Sequence, residues 1–190
     1  MGQSERKANA TLRLVADRPV EGLPETLEVR GGNGTAVVEG LCVREEVDLR
    51  IDLCGQDGTR LARSNPLRIA AEPQFDHYWG DLHGQSGETV GTGTAAEYYR
   101  FARDKAFIDI VGHQGNDFQI DTAFWAEINR IAAELDEPGR FIALPGYEWS
   151  GNTGMGGDRN VFFLEQDRPI FRSSRVLLDE DHDGRTTATT

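Results

Sequence analysis

No Phe, Tyr, Trp or His occurs in the first 74 residues of this 190-residue chain. A stretch so poor in aromatics and imidazoles holds no base-stacking surface and no histidine for catalysis or metal binding. Lysine is almost as scarce, occurring only at Lys7 and Lys105, and acidic groups outnumber basic ones by 32 to 20 for a net charge of −12. Nucleic-acid affinity comes largely from cations that displace counterions, so a general nucleic-acid binder is excluded. No run of about 18 apolar residues is present, which excludes a helical membrane span, and the start Met1-Gly2-Gln3-Ser4-Glu5-Arg6 has no apolar signal region. These absences predict a cytoplasmic chain with no membrane partner. Only two cysteines occur, Cys42 and Cys54, twelve residues apart; without a secretory signal they read as two small buried thiols rather than a disulfide.

The composition also divides the chain. Residues 1–72 carry 10 basic and 12 acidic groups, whereas residues 73–190 carry 10 and 20 together with every aromatic. In the first part, Val47, Leu49, Ile51 and Leu53 alternate with charged residues, the period of a half-buried strand. Leu12/Leu14, Leu27/Val29 and Leu67/Ile69 repeat the pattern, separated by turn signals such as Gly31-Gly32-Asn33-Gly34 and Asp57-Gly58. The expectation is a small β-sandwich over residues 1–72.

The second part changes rhythm. Tyr78–His83, Phe107–Val111 and Phe141–Leu144 read as short apolar strands, and Ala95–Lys105 reads as a helix. A second helix begins at an Asp121 cap and places Phe124, Ile128, Ile131 and Leu135 on one stripe before Pro138-Gly139 stops it. The order βαβαβ predicts three parallel strands. His83, His113 and Glu148 each follow one of them, about one βα repeat apart, which would set all three on the rim where α/β enzymes place their sites. Two imidazoles and a carboxylate suit Zn, Mn or Fe with positions left for water.

The loop 151–159, Gly-rich and ending in Asp158-Arg159, reads as a substrate loop in which Arg159 would stabilise a phosphoryl oxygen. Gly91-Thr92-Gly93-Thr94-Ala95-Ala96 follows no convincing strand, so no nucleotide cofactor is expected. Gly84-Gln85-Ser86-Gly87 lacks the spacing of a serine nucleophile elbow. Asp81, Glu88, Asp117 and Asp158 lie near these motifs as further oxygen donors or supporting partners, and His182 lies in a solvated acidic run.

Asp81-Leu82-His83-Gly84-Gln85-Ser86, Val111-Gly112-His113 and Gly146-Tyr147-Glu148-Trp149-Ser150 resemble the first three metal-binding motifs of the polymerase-and-histidinol-phosphatase (PHP) metallohydrolases. The likeness is nearest to an uncharacterised branch that carries a Tyr-Trp-Gly-Asp-Leu-His opening and a Gly-Tyr-Glu-Trp segment. It spans about residues 75–172. The resemblance implies a distorted TIM-like (β/α) barrel with metal ions in its mouth, phosphoester hydrolysis, and metal ligands at His83, Gln85, His113 and Glu148. Glu148 and Arg159 are the implied catalytic groups. Two departures stand out: Gln85 occupies the position of a second motif histidine, and Gly112 that of an aspartate.

The expected architecture is therefore a β-sandwich over 1–72, the first three βα units of an α/β barrel over 73–178, and an acidic, Thr-rich tail over 179–190. Three strands do not close a barrel, so the chain is expected to be an incomplete enzyme that needs the remaining C-terminal part of the barrel as its partner. The expected function is a metal-dependent, phosphoesterase-like hydrolase of a small, phosphorylated substrate. The alternative is a non-catalytic binding or adhesion module with a degenerate metal site, favoured by Gln85 and Gly112.

Overall fold

The alternating run Val47–Leu53 is not one strand. In the computed structural model, which describes residues 9–30, 34–151 and 157–173, the chain changes sheets at Arg50. β1 (Ala10–Ala16), β2 (Thr26–Val29), β4 (Ile51–Cys54) and β5 (Arg60–Arg63) form an antiparallel sheet in the order β2-β1-β4-β5. β3 (Val47–Leu49) leaves it to pair with β6 (Leu67–Ile69). Asp17 fixes the switch, since its Oδ1 accepts the Arg50 amide at 2.8 Å while its own amide donates to the Arg50 carbonyl at 3.0 Å. Across β4 and β5, Asp52 and Arg63 form a two-pronged ion pair at 2.6 and 2.8 Å. Both thiols are free, Cys42 exposed and Cys54 buried. The chain divides into two compact units between Asp76 and His77.

The second unit holds a three-stranded parallel sheet of β7 (Gly80–Gly84), β8 (Ile110–His113) and β9 (Ile142–Leu144), in that order. α1 (Ala95–Phe101) starts in a capping box, with the Thr94 hydroxyl accepting the Glu97 amide and the Glu97 carboxylate accepting the Thr94 amide. It runs into a π-helical turn, Ala102–Ala106, which ends at Phe107 with φ 52°. α2 (Thr122–Leu135) begins where Asp121 accepts the Phe124 amide at 2.6 Å; it buries Ile131 and Leu135 in a cluster with Val111 and Ala143 of the sheet, and Ile128 in a second cluster with Ile120, Trp125 and Tyr147. Tyr99, completely buried, ties neighbouring strands together: its hydroxyl donates to the Leu144 carbonyl at 2.8 Å and accepts the His113 amide at 3.1 Å.

The expected barrel portion is corrected by this topology. Three of the four sheets among the described residues are small and antiparallel, only two α-helices accompany them, and no TIM-like barrel of several βα units is formed. The parallel ladder ends at Leu144 because Pro145 has no N–H with which to continue it. Glu148 follows the third parallel strand across Pro145, and its amide donates to the Gly115 carbonyl at 2.9 Å in a parallel bridge with Asn116 beyond the end of β8. It lies on β10 (Gly146–Trp149), which also forms an antiparallel pair with β11 (Arg159–Phe162). The N-terminal unit holds a four-stranded and a two-stranded antiparallel sheet. The tail 179–190, with His182, and residues 152–156 of the Gly-rich loop lie outside the described residues.

Candidate functional site

β7 and β8 are out of step by one residue. Asp81 pairs with Val111 but Gly84 pairs with His113, so Leu82 and His83 together oppose Gly112. This is a bulge, and bulges re-aim side chains. Asp81 supports it from below, its carboxylate accepting the His83 amide at 3.2 Å. The result separates the two expected histidine ligands: His83 is exposed at the sheet edge, whereas His113 is fully buried.

Hydrogen-bond polarity fixes both imidazoles. Asn160 donates Nδ2–H to the Leu82 carbonyl at 3.3 Å, so its Oδ1 is the atom 3.0 Å from His83 Nδ1. A carbonyl oxygen accepts only, so Nδ1 carries the proton and Nε2 keeps a bare lone pair. At His113 the order is reversed. The Gly115 amide donates to Nδ1 at 3.2 Å, so the proton is on Nε2 and is given to Ser86 Oγ at 2.8 Å. Burial pushes the His113 imidazole down to about 4, against a weaker upward pull from Glu88. The ring is also packed edge-on against Tyr98 and Phe124. Both its nitrogens are used by the protein, which leaves no lone pair for a metal.

Glu148 is buried and stands opposite Asn160 across the β10–β11 ladder. Its Oε2 accepts from Gln85 Nε2 at 3.2 Å and from Asn116 Nδ2 at 3.0 Å. Burial raises the Glu148 pKa above the usual carboxylate range; the neighbouring His83 opposes that rise, Asp158 and Asp117 add to it, and the Asn116 bond lowers it. Gln85 thus reaches Glu148 through its N–H donor, while its carbonyl accepts from Thr89 Oγ1 at 2.9 Å. Its contact is that of a support for the carboxylate.

The remaining expected residues have simpler settings. Arg159 is exposed at the start of β11, with Nη1 donating to the carbonyls of Gly157 and Asp158. Asp117 is fully buried and structural, accepting the Ser150 amide at 2.9 Å, the Ser173 hydroxyl at 3.0 Å and the Ser173 amide. Gly112 has no room for the aspartate of the resembling motif, since a Cβ there would lie 2.7 Å from the Phe162 ring. Asn160 and Asn116 were not among the residues singled out by sequence. A lone Asn carries no periodicity, and only the hairpin pairing brings Asn160 to His83.

Among the described residues, no group of three or more His, Cys, Asp or Glu side chains is arranged to hold a metal ion. The hydrogen bonds described engage His83 through Nδ1 and Glu148 through Oε2. No helix among them is long and apolar enough to cross a membrane.

The chain is 24% identical over 146 residues to an uncharacterized protein of Chlamydia pneumoniae, covering 76% of this chain and 22% of that protein. It is 27% identical over 148 residues to an uncharacterized protein of Chlamydia trachomatis and 26% identical over 148 residues to one of Chlamydia muridarum, with the same coverage. The chain thus spans 22% of the length of these curated relatives. No solved structure matches. Residues 62–183 match the family described as "Protein of unknown function (DUF3604)", and this chain, with well over half its length inside that match, belongs to that family.

Proposed function

We propose that this chain carries part of the active site of a metal-dependent hydrolase related to the PHP metallohydrolases, acting on a small phosphoester. The observation that carries the reading is His83: its Nδ1–H is given to an amide carbonyl, its Nε2 lone pair is open, and a buried carboxylate, Glu148, stands nearby. Metal-binding histidines are commonly held in this way, the second ring nitrogen donating to a carbonyl or carboxylate that fixes the ring. The nitrogen and oxygen donors fit Zn, Mn or Fe. They make two ligands, and in this reading the others come from elsewhere in the longer protein.

A divalent metal supplies a water nucleophile at neutral pH and offsets charge on a phosphoryl oxygen. The chain's own residues do the rest. Gln85 and Asn116 orient the Glu148 carboxylate and leave Oε1 facing the site. Arg159, on the strand paired with β10, offers a fixed positive charge to an anionic substrate. His113 takes no part and keeps Ser86 and the strand end in place.

The test is metal content and phosphoester turnover in the full-length protein. Stoichiometric Mn, Zn or Fe retained by the wild type, and lost together with turnover in His83→Ala and Glu148→Gln, supports the reading. Absence of retained metal after reloading would overturn it and leave a non-catalytic binding module.

A further inference from the structure

His83 is on an edge strand and exposed, the setting in which an imidazole ordinarily samples both tautomers and many orientations. Its surroundings allow one. Asn160 reaches across from β11 and takes two adjacent residues at once, the Leu82 carbonyl through Nδ2–H and the His83 ring through Oδ1. The carbonyl fixes which end of the amide faces which way, and the amide in turn fixes which ring nitrogen holds the proton. We propose that Asn160 is a positioning residue that sets His83 in the Nδ1–H tautomer and so presents Nε2 as a lone-pair donor. This role rests on the reading of His83 as a metal ligand.

The choice of asparagine has a chemical reason. A carboxylate at position 160 could also accept the Nδ1 proton, but it would add a negative charge beside the ring. An apolar residue would leave Nδ1 without an acceptor. A neutral amide accepts the Nδ1 proton through its carbonyl without adding charge, and its N–H₂ anchors it to the backbone. The position is also constrained, since Asn160 is the residue opposite Glu148 in the hairpin register. One rung of the ladder therefore carries one candidate ligand and the support of the other.

The experiment uses ¹⁵N-histidine-labelled full-length protein, first without metal. Long-range ¹H–¹⁵N spectra near neutral pH should show His83 with a pyrrole-type Nδ1 and a pyridine-type Nε2. In Asn160→Leu the ring should move toward the Nε2–H form, and in Asn160→Ser, whose side chain is too short to reach the ring, it should do the same if the leucine disturbs the hairpin. Mn or Zn titration should then show affinity lower by about 10- to 100-fold in both variants, the usual loss when a partner of a metal-bound histidine is removed. An Nε2–H ring in the wild type, or a tautomer unchanged in both variants, would overturn the proposal. A wild type that binds no metal would instead defeat the reading of the site, and the metal-free spectra would still decide the role of Asn160.

Discussion

His83 and His113 are held in opposite tautomers, Nδ1–H in the first and Nε2–H in the second. The difference follows from what each ring meets at Nδ1: a carbonyl oxygen that can only accept, or a backbone amide that can only donate. One ring is left with an outward lone pair, and the other is closed by Ser86. Two histidines that look equivalent as strand-end residues therefore have different chemistry.

Buried and neutral, His113 makes stability depend on pH. Its folded value of about 4 lies below the ordinary 6.5, so the unfolded chain binds the extra proton between these two values. Stability is fully present above about pH 6.5 and falls as pH drops toward 4, by roughly 3 kcal/mol in all at 1.36 kcal/mol per unit. Urea unfolding of the wild type and His113→Gln at pH 7.5, 5.5 and 4.5 should show a steeper acid loss in the wild type. Parallel pH profiles would contradict the account.

Glu148 has the opposite sign. Burial raises its pKa, so stability contributed by its neutral form is present at low pH and is lost as pH rises through the folded value. Glu148→Gln carries no such loss. Thermal unfolding of metal-free protein should find the variant at least as stable as the wild type at pH 8, with the difference shrinking toward pH 4. Its metal affinity should fall at least about tenfold. A variant much less stable at pH 8 would show that the carboxylate serves the fold instead.

Gly112 tests whether the departure from the resembling motif is a lost ligand or a packing requirement. A Cβ would press on Phe162 of β11 at 2.7 Å, in a fully buried position. Gly112→Ala should cost about 1–3 kcal/mol in urea unfolding, as overpacking does. Gly112→Asp should cost more and should not strengthen metal binding. Tighter metal binding by Gly112→Asp at unchanged stability would reverse this assignment.

Asp117 joins the loop before α2 to Ser150 and Ser173 through three hydrogen bonds to one buried carboxylate. Removing it leaves two backbone amides without their acceptor. Asp117→Ala should lower the unfolding free energy by about 3 kcal/mol, and Asp117→Asn by less because one acceptor oxygen remains. Equal and small losses in denaturant titrations of both variants would argue that solvent replaces the carboxylate.

Much of the second unit is legible in the chain itself. The apolar runs at β8 and β9 and the stripe of Ile128, Ile131 and Leu135 are local signals that packing reinforces. The site was less legible, because two non-local events intervene. The extra residue in β7 changes the phase between His83 and His113, and the missing N–H of Pro145 interrupts the parallel ladder before Glu148, on a strand that also pairs with β11. Neither alters the hydrophobic pattern from which strands are read. The supporting amides Asn116 and Asn160 are invisible for a related reason: each lies more than 30 residues from the group it holds.

Side chains on a β-strand alternate faces, so a one-residue slip between β10 and β11 would turn Asn160 away from His83 and away from its place opposite Glu148 in a single step. The hairpin is pinned against such a slip by Gln114, whose Nε2 donates to the Val161 carbonyl at 3.2 Å, and by the Phe163 amide, which donates to the Pro145 carbonyl at 3.0 Å. The two halves of the candidate centre therefore share one latch. Opening it would dismantle both together, so hydrogen exchange at the amides of β10 and β11 should report directly on how often the centre is assembled.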